Sequence, residues 1–317
     1  MIIRPRNLQA GDKIALVAPA YWLPEDAFVQ TVRILESWGL VPVIGKHVAS
    51  NDAQVYSGTA DERAADLMWA FEDDDIKAVL CIRGGYGSIH LLKRVPLECY
   101  RQHPKWLIGN GDITILLNSV VAAGVMSIHG PMGFQIAYGQ GREIPILHDL
   151  LFGKVPRYEI PGHANNRCGH AEGILIGGNL SSYSPIAGTE FHISPDQDVI
   201  LFIEEAEEAL HHIDRLFYLL GIRLRRERVK GIIFGSFHNI KYDLQFDSVE
   251  QMLAEHFSDT DIPICCGFPV GTNNCLPLIE GAPCSLDVTM DSASLAFNID
   301  GEQQTYQIDK EEVQLFL

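Results

Sequence analysis

Short apolar runs separated by amphipathic stretches organise the first half of the chain. Residues 13–18 predict a buried strand that ends at Pro19. Residues 26–38 carry helical apolar spacing and stop at Gly39, and residues 41–44 predict a second strand. Thr59-Ala60-Asp61-Glu62 is a capping box, and it opens a helix through Phe71. Residues 77–82 predict a strand running into Arg83-Gly84-Gly85-Tyr86-Gly87, and a short helix follows. Residues 106–108 predict a strand entering the Asn110-Gly111 turn, followed by the helical pattern Ile113, Leu116, Leu117, Val120, Val121 and a strand at 126–129. Strands separated by helices of this length imply a doubly wound parallel sheet with right-handed crossovers.

Residues 139–170 lose the rhythm and collect turn formers: Gly139, Gly141, Pro145, Pro156, Pro161, Gly162, Asn165 and Asn166. This divides the chain into an N-terminal α/β domain (1–150), a linker (151–170) and a smaller C-terminal α/β domain (171–317), with a cleft expected between the domains. The second half starts with Ile174-Leu175-Ile176-Gly177-Gly178-Asn179-Leu180. Strands are predicted at 199–203, 231–237 and 262–266, helices at 207–220 and 248–257, and two closing strands at 285–290 and 294–299.

Composition narrows the function. A formal net charge of −17 over 317 residues argues against nucleic-acid or anionic-membrane partners, which need a basic face. No window approaches the ~20 apolar residues of a membrane span, and the start, Met-Ile-Ile-Arg-Pro-Arg, lacks a signal-like apolar run. A cytoplasmic location is expected. The cysteines, seven in number, have no CxxC spacing, which fits reduced thiols rather than disulfides or a zinc site. Cys81, Cys265 and Cys266 lie in apolar runs and read as small core residues.

The candidate chemistry sits in two glycine-rich turns, Arg83 to Gly87 and Gly109 to Asp112. Both follow predicted strand ends, where open parallel sheets collect ligands. Exposed backbone N–H groups there can hold a carboxylate or a developing oxyanion, although glycine in such a turn also serves backbone geometry alone. Leu107-Ile108-Gly109-Asn110-Gly111-Asp112-Ile113-Thr114 has the layout of a nucleophile elbow. The position where a Ser or Cys would stand holds Gly111.

Taken in order, Gly11-Asp12-Lys13-Ile14-Ala15-Leu16-Val17-Ala18-Pro19-Ala20, the Arg83–Gly87 turn, the elbow, His129-Gly130-Pro131-Met132, Ile176–Leu180 and Ile203-Glu204-Glu205 resemble the LD-carboxypeptidase family of serine peptidases over nearly the whole chain. The resemblance implies a Ser-Glu-His triad in which Ser attacks an amide carbonyl, His relays the proton and Glu orients the His. It implies oxyanion-hole amides at Gly85 and Asp112; Gly84 and Arg83 join them as ligand-binding candidates, and Glu204, with no His to orient, either pairs with a base such as Arg83 or is free for acid–base work. The substrate implied is a peptide with a free carboxyl terminus, cut at an L–D bond. Carried over position by position, the Ser position is Gly111, the Glu position is Glu204, and the His position is Thr272 in Val270-Gly271-Thr272-Asn273-Asn274. Thr cannot accept and return a proton near neutral pH as an imidazole can.

Several residues are weighed as replacements. Cys275 follows Thr272 closely and a thiolate is a competent nucleophile, but a small semi-buried core residue is the favoured reading. His129 reads as structural. His211 and His212 lack metal-ligand spacing, so no metal and no cofactor is implied. Glu205, Glu207 and Glu208 read as a solvated helix N-terminus, and Asp214-Arg215 as an ordinary pair. Two readings remain open. One is a diverged enzyme with altered chemistry centred on Glu204, binding a small carboxylate-bearing peptide or amino-acid-like ligand. The other is a catalytically silent binder or sensor, with residual amide hydrolysis and homodimer formation both left open.

Overall fold

In the computed structural model, which describes residues 2–50, 55–139, 141–193, 196–272 and 275–316, the chain divides into two units of nearly equal length. One comprises Met1–Gly153 and Leu276–Gly281, the other Lys154–Cys275 and Ala282–Leu317.

The first unit alternates as its sequence predicts: β1 (Lys13–Val17), α1 (Glu25–Ser37), β2 (Val41–Ile44), α2 (Ala60–Glu72), β3 (Ile76–Cys81), α3 (Leu97–Gln102), β4 (Trp106–Gly109), α4 (Thr114–Ala122), β5 (Ser127–His129), α5 (Gly133–Tyr138) and α6 (Glu143–Leu151). The five strands are parallel in the order β5-β4-β3-β1-β2. The strand Leu278–Glu280, arriving from far along the chain, pairs antiparallel with β5. Helix α1 packs with α5, whereas α2, α3 and α4 pack with one another, which is the double winding of this sheet. At the start of α2, Glu62 N donates to Thr59 Oγ1 at 3.2 Å and Thr59 N to Glu62 Oε2 at 2.8 Å, so the capping box forms. The core beneath α2–α4 includes Phe71, Tyr100, Leu107, Leu116 and Val120.

The stretch read as a linker holds β6 (Lys154–Pro161), whose Tyr158 and Ile160 are buried between the half-exposed Arg157 and Glu159. That alternation is the strand signal. Pro156 lies outside the five residues that pair with the strand at 292–297, and on the other side of β6 it stands opposite Gln304. The unit continues with β7 (Gly169–Asn179), α7 (Leu180–Tyr183), β8 (Val199–Ala206), α8 (Leu210–Arg223), β9 (Val229–His238), α9 (Val249–Glu255) and β10 (Ile264–Cys265). After the strand already placed in the first sheet (β11) come β12 (Pro283–Val288), β13 (Ser292–Phe297), β14 (Glu302–Gln307) and α10 (Lys310–Phe316). The eight strands run β10-β9-β8-β7-β12-β13-β6-β14. From β10 to β7 they are parallel, and β7, β12, β13 and β6 are antiparallel. Among the described residues, no helix is long and apolar enough to cross a membrane.

One irregularity shapes the centre of this sheet. Ile203 lies opposite Phe234, but Glu205 lies opposite Phe237, so β9 carries one extra residue across from Glu204. Within the bulge, Ser236 N turns away from β8 and donates to Val270 O at 2.8 Å. Gly235 is required there, because a Cβ would collide with the Val270 carbonyl oxygen and stand 2.7 Å from Val270 Cγ1. Gly235→Ala should therefore destabilise the fold by about 1–3 kcal/mol, the usual cost of overpacking. Gly221→Ala in α8, where a Cβ meets nothing within 4 Å, should instead stabilise by roughly 0.5–1 kcal/mol from helix propensity. Urea denaturation of both variants checks the pair, and equal effects would mean that the bulge is not tightly packed.

Candidate functional site

In the second unit, β8 ends in two carboxyl groups with opposite surroundings. Glu204 is fully buried and stands opposite Asn179, the last residue of β7. Thr272 Oγ1 donates to Glu204 Oε2 at 2.9 Å. The geometry follows from the bulge, since Ser236 fixes Val270 and Thr272 comes two residues later. Burial pushes the Glu204 carboxyl up to about 8, and the charge of Glu205 pushes the same way; the Thr272 hydroxyl and the Asn179 side chain only partly offset them. At neutral pH Glu204 is therefore mostly a neutral acid.

Glu205 is also buried, at 3% exposure. It accepts Asn179 Nδ2 at 2.7 Å, Ser181 N at 2.8 Å and Ala206 N at 3.0 Å. It is thus the anchor for the start of α7, not part of a solvated helix N-terminus as its sequence context implied. The chain leaves β8 at Glu207, whose φ of 59° is left-handed, so α8 begins later than predicted. Glu208 pairs with His212 at 2.7 Å, and His211 bonds Asp243. Asp214 pairs with His256 at 2.9 Å rather than with Arg215. Cys275 is fully buried, in keeping with a core role. Asn273 and Asn274, in the same loop, lie outside the described residues.

In the first unit the elbow forms as its sequence suggests. Strand β4 ends at Gly109, and Gly111 turns the chain with φ 58° into a 3₁₀ turn and then α4. This left-handed conformation suits a side-chain-free residue. Asn110 holds the turn from beneath, donating to Gly130 O at 3.0 Å and to Gln135 Oε1 at 2.8 Å. Asp112 is buried and its Oδ2 accepts Ser88 N at 2.8 Å, tying the elbow to the other glycine turn. Burial raises the Asp112 carboxyl, against the opposing pull of the Ser88 and Gly87 bonds and the Arg63 charge. The two turns lie side by side: a Cβ on Gly84 would stand 3.7 Å from Asp112 N. Gly85, at φ 116°, has no room for a side chain because Tyr21's ring occupies the space.

Arg63, which the sequence did not single out, is the buried cation of this region. It donates to Pro19 O and, at 3.1 Å, to Gly87 O, and its guanidinium stands 4.9 Å from the centre of the Tyr56 ring. Arg83 remains exposed, 5.8 Å from the centre of the Tyr21 ring. His129 is fully buried, 3.6 Å from the equally buried Glu280. Burial pushes His129 down to about 3 and Glu280 well up, disfavouring the charged form of each. Nothing in the sequence around Glu280 signalled this pairing, because it requires knowing that β11 joins β5. Among the described residues, no group of three or more His, Cys, Asp and Glu side chains gathers as a metal site would require.

The structure thus brings Glu204 together with Thr272, and Gly84 and Gly85 together with Asp112. Sequence reasoning missed Asn179, Glu205, Gly235 and Arg63. Asn179 alone had a visible signal, as the polar end of the apolar Ile174–Gly178 run.

Comparison with known proteins agrees with this organisation. The LD-carboxypeptidase N-terminal domain matches residues 14–130, and the LD-carboxypeptidase C-terminal domain matches residues 172–286. A putative carboxypeptidase of Synechocystis is 33% identical over 302 residues, covering 93% of this chain and 97% of its own. The probable murein peptide carboxypeptidase of Bacillus subtilis is 31% identical over 300 residues, covering 92% of each. The solved structure of MccF in complex with glutamyl sulfamoyl guanosine shares the fold, with a TM-score of 0.80 at 22% identity, covering 92% of this chain and 98% of that one. The chain belongs to the LD-carboxypeptidase family.

Proposed function

We propose that the protein binds a small carboxylate-bearing ligand, a peptide or amino-acid derivative, and that serine-type peptide hydrolysis has given way to chemistry centred on Glu204. The observation that carries this reading is the Glu204–Thr272 bond: a fully buried carboxyl, pushed up to about 8, has a hydroxyl hydrogen aimed at it from 2.9 Å. At the elbow Gly111 offers no nucleophilic atom. Within the first unit, exposed Arg83 beside the Gly84-Gly85 turn is a cation of the kind that pairs with carboxylates. A fold relative seen with glutamyl sulfamoyl guanosine supports a ligand of the amino-acid class.

A silent binder is the second reading, and it is favoured by the absence of exposed surface on Glu204. A ligand would meet Thr272, which is partly exposed, before it met the carboxyl. The two readings separate in Glu204→Gln, which keeps the shape and removes the ionisable carboxyl. An enzyme should lose about 10²-fold or more in turnover of its substrate with little change in binding. A silent binder has no turnover to lose.

Two outcomes follow. The protein should release no terminal residue from a tetrapeptide with an L–D bond at neutral pH, and Gly111→Ser should not restore that activity, since losing a triad nucleophile or base costs about 10⁶-fold. Chromatographic assay of the released amino acid checks this, and robust turnover by the unaltered protein would contradict it. The second outcome concerns pH. Glu204 keeps its proton in the fold up to about 8, against an ordinary 4.5 in the unfolded chain. The folded state therefore binds the extra proton between those values. Stability relative to Glu204→Gln is greatest below the lower value and is lost as pH rises through the upper one. Melting temperatures of both proteins from about pH 5 to about pH 9 should diverge in that sense, and a pH-independent difference would show that Glu204 is not shifted.

A further inference from the structure

We propose that Thr272 and Glu204 form a nucleophile–base pair able to accept an acyl group from an activated ester, an inference that rests on the reading of Glu204-centred chemistry above. A hydroxyl becomes a useful nucleophile when a base within about 2.6–3.2 Å can take its proton as the new bond forms. Thr272 Oγ1 meets this condition, donating to Glu204 Oε2 at 2.9 Å. Its side chain is partly exposed while the base behind it is fully buried.

Both partners are held in place. Glu204 lies on β8 with strands on both sides. Val270, two residues before Thr272, accepts Ser236 N at 2.8 Å and donates to Phe268 O at 2.7 Å. The first of these bonds ties Val270, two residues ahead of Thr272, to the bulge at Gly235 and Ser236. The electrostatics point in the same direction. Burial and the charge of Glu205 disfavour the Glu204 carboxylate, so receiving a proton from Thr272 relieves an unfavourable state. This carboxylate is a far stronger base than a solvated one, and it is available only once the pH approaches about 8.

The step balances as follows. Thr272 Oγ1 attacks the ester carbonyl, its proton passes to Glu204 Oε2, and the tetrahedral intermediate expels the alcohol, which takes that proton. The product is an acyl ester on Thr272 and a free alcohol. Water attacking the acyl ester, with Glu204 again accepting the proton, releases the carboxylic acid and restores the hydroxyl.

The test uses p-nitrophenyl acetate with the full-length protein, read by intact mass and peptide mapping near pH 7 and pH 9, alongside Thr272→Val, Thr272→Ser and Glu204→Gln. Melting curves establish that each variant is folded. The expected result is acetylation of the peptide containing Thr272, about tenfold faster at the higher pH. Thr272→Ser should retain it and Thr272→Val should lose it. Glu204→Gln should slow it by about 10²-fold and remove the pH dependence. Acetylation confined to lysines, equal labelling of Thr272→Val, or an unaltered protein that neither carries the label nor releases p-nitrophenol faster than Thr272→Val would each overturn the proposal. Calorimetric binding of a peptide ending in a D-amino acid is measured on the same samples. Binding without Thr272 acetylation or Thr272-dependent p-nitrophenol release means that the nucleophile–base pair fails while ligand recognition stands; neither signal means that both readings fail.

Discussion

Burying a carboxyl group without a cation to neutralise it is costly, because the charged form gives up its hydration for surroundings that cannot replace it. The centre of the second sheet is built around that cost at Glu204. Protonation meets most of it, and the Thr272 hydroxyl meets part of the rest. The neighbouring Glu205 takes the other route, with three N–H donors converging on its two oxygens. Two adjacent residues of one type thus have different chemical roles, decided by which donors the backbone places around each. The β9 bulge is part of the same arrangement, since it frees Ser236 N to bind the Val270 carbonyl next to Glu204.

The first unit holds an elbow-like turn that carries no side chain at its bend. Gly111 keeps the left-handed conformation of an elbow, with Asn110 bracing it and Asp112 tying it to the second glycine turn. A glycine relieves the backbone strain that a nucleophile at this position would have to bear. The turn is therefore easier to maintain here than in a serine peptidase, and its retention does not by itself require catalysis. What remains chemically distinctive is the proximity of Gly84 to the Asp112 amide, with the exposed Arg83 adjoining.

The alternating architecture of the first unit was legible because each buried strand is a short apolar run and each helix has a cap or a glycine stop. Strand β11 was not, since three residues carry no periodic signal and its partner lies about 150 residues earlier in the chain. The 139–170 stretch misled because Pro156, Pro161 and Gly162 suggest a connector, whereas the alternation of Tyr158 and Ile160 with Arg157 and Glu159 already marked β6. Strand β14 is polar except at Tyr306, which hides it from any hydrophobic pattern. At the site, family resemblance located Glu204 and Thr272 separately, but only the bulge explains why they touch. Glu205 was misplaced for a related reason: sequence shows an acidic cluster ahead of a helix, and the strand's continuation to Ala206 is what buries it.

The protonation state of Glu204 is the most direct point of contact between this account and experiment. Infrared difference spectra between the unaltered protein and Glu204→Gln isolate that one carboxyl from Glu280 and from every other acid. A protonated-carboxyl band should be present at neutral pH and should give way to carboxylate absorption with a midpoint near 8. Carboxylate absorption already complete at neutral pH would mean that Glu204 is an ordinary ionised side chain, and the account built on its buried proton would fail.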